Sequence, residues 1–132
     1  AERRARQNVA LDEAIREANA RGLAVVVYEG LRPDYPGANE RLHTFVVEGM
    51  AANRRDAEAR GLRYAASVPR AGGVDREALA RLARRAALVV TDEAPGYLFA
   101  RQTAALARRV DCPVVAVDGR GVVARRGGTE RE

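Results

Sequence analysis

The sequence predicts an α/β domain of three layers, Rossmann-like (α/β/α), with a mainly parallel sheet. Two features predict it. Short apolar runs recur at Leu23 to Tyr28, Leu62 to Ser67, Ala87 to Thr91 and Pro113 to Val117, and segments of helical periodicity separate them. The first and third runs are apolar on both faces, as strands buried between two helical layers are. Strand and helix alternating at this spacing imply right-handed crossovers with helices on both sides of the sheet. A chain of 132 residues has room for one such domain.

The elements follow in order. Asn8 is placed to cap a first helix, in which Leu11, Ala14, Ile15 and Ala18 share one stripe and Gly22 supplies the stop. The run Leu23 to Tyr28 is the first strand, and the turn-rich segment from Glu29 to Gly37 is expected to end it. A second helix runs from about Asn39 to Gly61, with Leu42, Phe45, Val46, Gly49, Met50 and Ala57 on its inner stripe. The second strand, Leu62 to Ser67, leads through a loop with Pro69, Gly72 and Gly73 to a helix capped by Asp75, whose Leu79, Leu82, Ala83 and Ala86 face inward. The third strand exits through Asp92 to Gly96 into a fourth helix with Phe99, Thr103, Leu106 and Val110 inside. The last strand ends at Val117. The domain is expected over residues 1–118, and residues 119–132, rich in Gly, Arg and Glu, read as a polar, solvated tail.

Composition narrows the classes of function. With 27 Ala, 2 Phe, 4 Tyr and no Trp, the core must be built from Val, Leu and small side chains. No apolar run approaches the roughly 20 residues of a membrane span, and no apolar block follows the charged N-terminus as in a signal peptide. A cytoplasmic, membrane-free protein is expected. One cysteine and one histidine cannot form a metal cluster, so no metal site is expected. The net charge is +5, and all 23 basic residues are Arg. Such a surface is either simply solvated or suited to a polyanion such as nucleic acid.

In parallel α/β sheets ligands bind beyond the carboxyl ends of the strands. The loops after Tyr28, Ser67, Thr91 and Val117 are therefore the places for a site. Neither a phosphate-binding G-x-x-x-x-G-K-[ST] loop nor a G-x-G-x-x-G turn is present. Glu29, Asp92 and Glu93 stand at or just after strand ends, where a carboxylate can hold a hydroxyl or ring nitrogen, or simply solvate a turn or cap a helix. Tyr28, Tyr35 and Tyr97 belong to the same ends, where a planar ligand could stack. His43 reads as a packing or surface residue of the second helix, and Cys112 as a small core residue.

Several segments in order resemble the N-terminal α/β domain of the DNA photolyase and cryptochrome family, closest to the class II cyclobutane-pyrimidine-dimer enzymes. They are Arg6-Gln7-Asn8-Val9-Ala10-Leu11, Val25-Val26-Val27-Tyr28, Arg41-Leu42-His43-Thr44-Phe45 with Gly49-Met50, Leu88-Val89-Val90-Thr91-Asp92, and Val117-Asp118 with Gly121. The resemblance implies light-driven DNA repair in a longer enzyme. There a reduced flavin, FAD, sits in a separate C-terminal helical domain, and the α/β domain can hold an antenna pigment, a deazaflavin or a folate. For that pigment it implies contacts from Arg6 and Asn8, from Tyr28, Glu29 and Arg32, and from Asp92, Glu93 and Tyr97. No catalytic residue is implied in this chain alone, and DNA would be met only through the longer enzyme. The chain departs from the family at Gln7, where Asp is usual, at Glu93 to Gly96, and at Arg120 and Ala124.

The family also opens with an apolar first strand, whereas Ala1 to Arg6 cannot form a buried strand. Four parallel strands are therefore expected, with the strands at Tyr28 and Val90 either pairing directly or leaving a gap. Two other functions stay open: a stand-alone Rossmann-like nucleotide-binding domain, which would need a glycine-rich loop after Thr91, and an arginine-based interaction domain for nucleic acid or an acidic protein.

Overall fold

The structure is a computed structural model. It describes residues 5–31, 39–70, 73, 75–92 and 97–118, with only the backbone for 97–99. The elements are α1 (Val9–Arg21), β1 (Val26–Gly30), α2 (Glu40–Ala59), β2 (Arg63–Ser67), α3 (Ala78–Ala83), β3 (Val89–Asp92), α4 (Tyr97–Ala107) and β4 (Val114–Val117). Strand and helix alternate throughout, and the four strands form a Rossmann-like α/β arrangement. The expected tail lies outside the described residues.

β1 pairs in parallel with β2, Val26 opposite Arg63, and β3 pairs in parallel with β4, Val89 opposite Val114. The pairs do not join: among the described residues, β1 and β3 share no ladder, so the sheet is split into two halves. Of the two arrangements open to four strands, the gap is the one adopted. α1 packs against β3 and β4, α2 against β2, and α4 against β4.

Local chemistry explains the boundaries. The Asn8 side chain accepts a hydrogen bond from the Leu11 amide at 3.0 Å, satisfying one of the free donors of the first turn of α1. Gly22 closes the helix in the left-handed region at φ 66°, and the Leu23 amide reaches back to the Ala18 carbonyl at 2.9 Å. This closure corrects the first expected strand. Leu23 is spent on ending the helix and is half exposed, so β1 begins only at Val26 and runs on through Glu29 and Gly30, which the turn-rich reading had excluded. Leu31, just past the strand, is buried and donates its amide to the Ser67 carbonyl at 2.9 Å.

α2 starts at an Asn39 cap, as its sequence predicts, but its inner stripe is shorter than expected. Met50, Asn53 and Ala57 are buried, whereas Leu42, Gly49 and especially Phe45, at 73% exposure, face outward. Only the second half of this 20-residue helix lies against β2, a strand of five residues that cannot cover a helix about 30 Å long. α3 is also shorter than predicted. The Asp75 carboxylate accepts from the Glu77 amide at 3.0 Å and so caps a turn, and the helix proper begins at Ala78 and stops before Ala86.

Asp75 also forms an ion pair with Arg81. Hydrogen bonding to that guanidinium holds its carboxyl below the ordinary value of 3.8, and the backbone amides of Glu77 and Ala78 act in the same direction. Because the folded value lies below the unfolded one, the pairing contributes at neutral pH and is lost as pH falls through the lowered value. A carboxyl-carbon NMR titration is expected to find the Asp75 midpoint depressed, and Arg81→Met is expected to return it toward the ordinary value.

The core is made of small side chains. Ala83, Val110 and Val114 are buried together, with Val89, Leu106, Ala107 and Cys112 packed on them, and the Cys112 thiol lies 3.7 Å from the Ala83 carbonyl as donor. Cys112 is thus the small core residue that its sequence context predicts. On the other half, Ala57 is fully buried and Met50 nearly so. No helix among the described residues is long and apolar enough to cross a membrane.

Candidate functional site at the carboxyl ends of β1 and β3

The split sheet opens a cavity of about 280 Å³ between its halves. Its walls are Val25 to Gly30 on one side and Val90 to Asp92 on the other, and Ala5, Asn8, Ala10, Leu11 and Ala14 complete it. Four of the residues expected at a site, Asn8, Tyr28, Glu29 and Asp92, are brought together around this one cavity. Arg6 does not line it: its guanidinium pairs with Asp56 at 2.9 Å and its side chain is 79% exposed. Arg32 and Glu93 lie outside the described residues, as do Tyr35 and the side chain of Tyr97, the residue that opens α4.

The segment ahead of α1 is pinned at the carboxyl end of β1 by a polar network. The Ala5 amide donates to Asn53 Oδ1 at 3.3 Å, and the Ala5 carbonyl accepts from Arg60 Nη1 at 2.8 Å. Asn53 Nδ2 in turn donates to Glu29 Oε1 at 2.6 Å. Asn53 is 6% exposed, so this bridge links the α1 entry, the middle of α2 and the end of β1 where water is largely excluded. A hydrogen bond to an ionised acceptor in such a place is among the stronger kinds.

Neighbouring strand residues point to opposite faces. Glu29 therefore leaves the sheet toward α2, and Tyr28 toward the other face. Gly30 belongs with Tyr28: a Cβ built on Gly30 would meet the Tyr28 hydroxyl at 3.3 Å, so glycine leaves room for the phenol ring. At the cavity rim, then, stand a phenol, two carboxylates and an Asn side chain. Such groups can hold the polar edge of a heterocycle or a hydroxyl-bearing chain. The Asn8 oxygen is already engaged as the cap of α1, so its role here is first structural.

The sequence reading missed Asn53, Arg60, Asp56 and Thr91. Asn53 carried a signal, being a polar residue between Met50 and Ala57 on the apolar stripe of a helix. A buried Asn in that position needs partners, and here they are Ala5 and Glu29. The partners of Arg60 and Asp56 lie about 50 residues away in sequence and carried no local mark.

Gln7, the one non-glycine residue with positive φ among those described, sits at φ 51°. That left-handed conformation is tolerated by Asn, Asp and Gly and is uncommon for longer side chains. Gln7→Gly is expected to stabilise the fold by about 0.5–1 kcal/mol, measured by urea denaturation, provided that its backbone hydrogen bonds are kept.

The chain was compared with known proteins. It is 34% identical over 99 residues to a deoxyribodipyrimidine photo-lyase from Methanothermobacter thermautotrophicus. The aligned stretch covers 72% of this chain and 20% of that protein, so the chain spans about one fifth of the length of the curated relative it matches. No protein-family model matches the chain, and no solved structure matches it. Over most of its own length, this α/β domain is similar to part of a DNA photolyase.

Proposed function

We propose that this chain is the antenna-type α/β domain of a deoxyribodipyrimidine photolyase, serving light-dependent DNA repair within a longer enzyme and not competent for repair alone. The observation that carries the proposal is the 34% identity over 99 residues to a photolyase. The gathering of Asn8, Tyr28, Glu29 and Asp92 at strand carboxyl ends supports it, because that is where α/β sheets bind ligands. The segments that resemble the family suit an enzyme of the class II kind, and the reading extends to that class. Flavin chemistry on the dimer belongs to a helical domain, not to these residues.

An antenna pigment, a deazaflavin or a folate, absorbs light and passes the excitation on. The residues fit the polar edge of such a group at the rim. Tyr28, Glu29 and Asp92 would supply those contacts.

The test is a repair assay on the gene product purified from its native source. Illuminated with ultraviolet-damaged oligonucleotide, it is expected to remove pyrimidine dimers in the light and not in the dark, while the 132-residue chain removes none. A native product without light-dependent removal would overturn the proposal, as would removal by the isolated chain. Absorbance of the purified product beyond the protein band, retained through gel filtration, would identify a bound pigment.

A further inference from the structure

The first half of α2 carries an apolar seam that no described element covers. Leu42, Phe45, Gly49 and Ala52 recur at spacings of three, four and three residues, which sets them along one side of the helix. Met50, Asn53 and Ala57, the buried residues of α2, lie on a different side. Leu42 is 39% exposed and Phe45 73%, and a Cβ built on Gly49 would meet nothing within 4 Å. Apolar side chains of this size, exposed next to one another on one helix, form the kind of patch that marks a contact surface. Further along, the same side is closed, because Asp56 pairs with Arg6 at 2.9 Å. A partner therefore has access only to the first half of α2, the half that the five residues of β2 do not reach.

Charge identifies the partner. Arg41 and Glu48 border the seam on the side away from the buried residues, both are exposed, and neither has an ion pair among the described residues. They stand two turns apart, about 10 Å along the axis, with Phe45 between them. One cation and one anion set this way along an apolar strip are complementary to the same strip reversed. We infer that the first half of α2 is the interface of an antiparallel pair formed with a second copy of this chain, an isologous contact on a two-fold axis near Thr44. In that register Arg41 of each copy meets Glu48 of the other, and Leu42 of each meets Phe45 of the other. A parallel pairing would set arginine against arginine and glutamate against glutamate, at a cost. The overlap spans only the first turns of α2 and buries less than the roughly 1,200 Å² of a stable interface, so the pair is weak, with a Kd on the order of 100 μM. This inference stands apart from the proposed function and from the cavity between the sheet halves.

Sedimentation equilibrium of the full chain, from about 10 μM to about 1 mM, reads the pairing. The average mass is expected to climb from 14.3 kDa toward twice that value. Phe45→Ser is expected to weaken the pair about tenfold or more while leaving the melting temperature of the dilute chain unchanged, since Phe45 is mostly exposed. Arg41→Glu and Glu48→Arg each place like charges at both flanks, and each is expected to weaken the pair about tenfold at low salt. An equimolar mixture of these two variants is expected to restore it, because every flank then joins opposite charges again. A chain that stays monomeric at about 1 mM would overturn the inference. A dimer that Phe45→Ser leaves intact would also overturn it, because the copies would then meet through another surface. So would a mixture that pairs no more tightly than either charge variant alone, because the antiparallel register would then be absent.

Discussion

Asn53→Ala is expected to destabilise the domain by about 2–4 kcal/mol, the cost of removing a buried hydrogen-bonding group from between a backbone amide and a carboxylate. For a domain of this size the melting temperature falls by roughly 8–15 °C, measurable by circular dichroism. The effect is large because one side chain serves two partners: the Ala5 amide and Glu29 both lose their bond. Asn53→Asp separates hydrogen bonding from packing. It places a second carboxyl against Glu29, within the 2.6 Å that the amide now spans, and two such groups cannot both ionise. The pair then holds a proton above the ordinary carboxylate range in the folded state. The variant is therefore most stable at low pH and loses stability as pH rises through that raised value. Urea denaturation at several pH values checks this, and a loss independent of pH would show that the bridge to Glu29 does not form.

Ala83→Asp is expected to abolish the cooperative fold. Ala83 is 2% exposed and packed against Val110 and Val114, with Val89, Leu106, Ala107 and Cys112 on the same cluster. Burying a carboxylate in that cluster costs more than about 4 kcal/mol, a large part of the stability of a small domain. Ala104→Asp, on an exposed position of α4, is the matched control and should leave the melting transition within a few degrees. The contrast tests whether the core is as alanine-built as the structure shows. A mild effect at Ala83 would mean that the β3–β4 half is loosely packed.

The elements that the sequence reveals are those with local causes. Asn8 and Asn39 cap their helices as predicted, and Gly22 ends α1, because caps act within a few residues. β2, β3 and β4 appear within a residue or two of the expected runs. The failures are tertiary. Leu23 is as apolar as Val27, yet the helix closure takes it out of the strand. Leu42 and Phe45 have the same periodicity as Met50 and Ala57, but β2 is too short to reach them. At the site, Tyr28, Glu29 and Asp92 were legible from the rule that strand ends carry function. Asn53 and the Arg60 bond to Ala5 depend on residues about 50 positions apart, which no local pattern encodes.

The central structural claim is that two parallel strand pairs face each other across an open slot, and residue-resolved hydrogen exchange tests it most directly. The structure predicts slow exchange at Val27 and Ala65, which belong to the β1–β2 ladder, and at Thr91 and Val115, which belong to the β3–β4 ladder. It predicts fast exchange at Val26, Tyr28 and Val90, whose amides face the slot. Equal protection of both sets would mean that β1 and β3 pair directly in one continuous four-stranded sheet, and the slot and the rim above it would fall together.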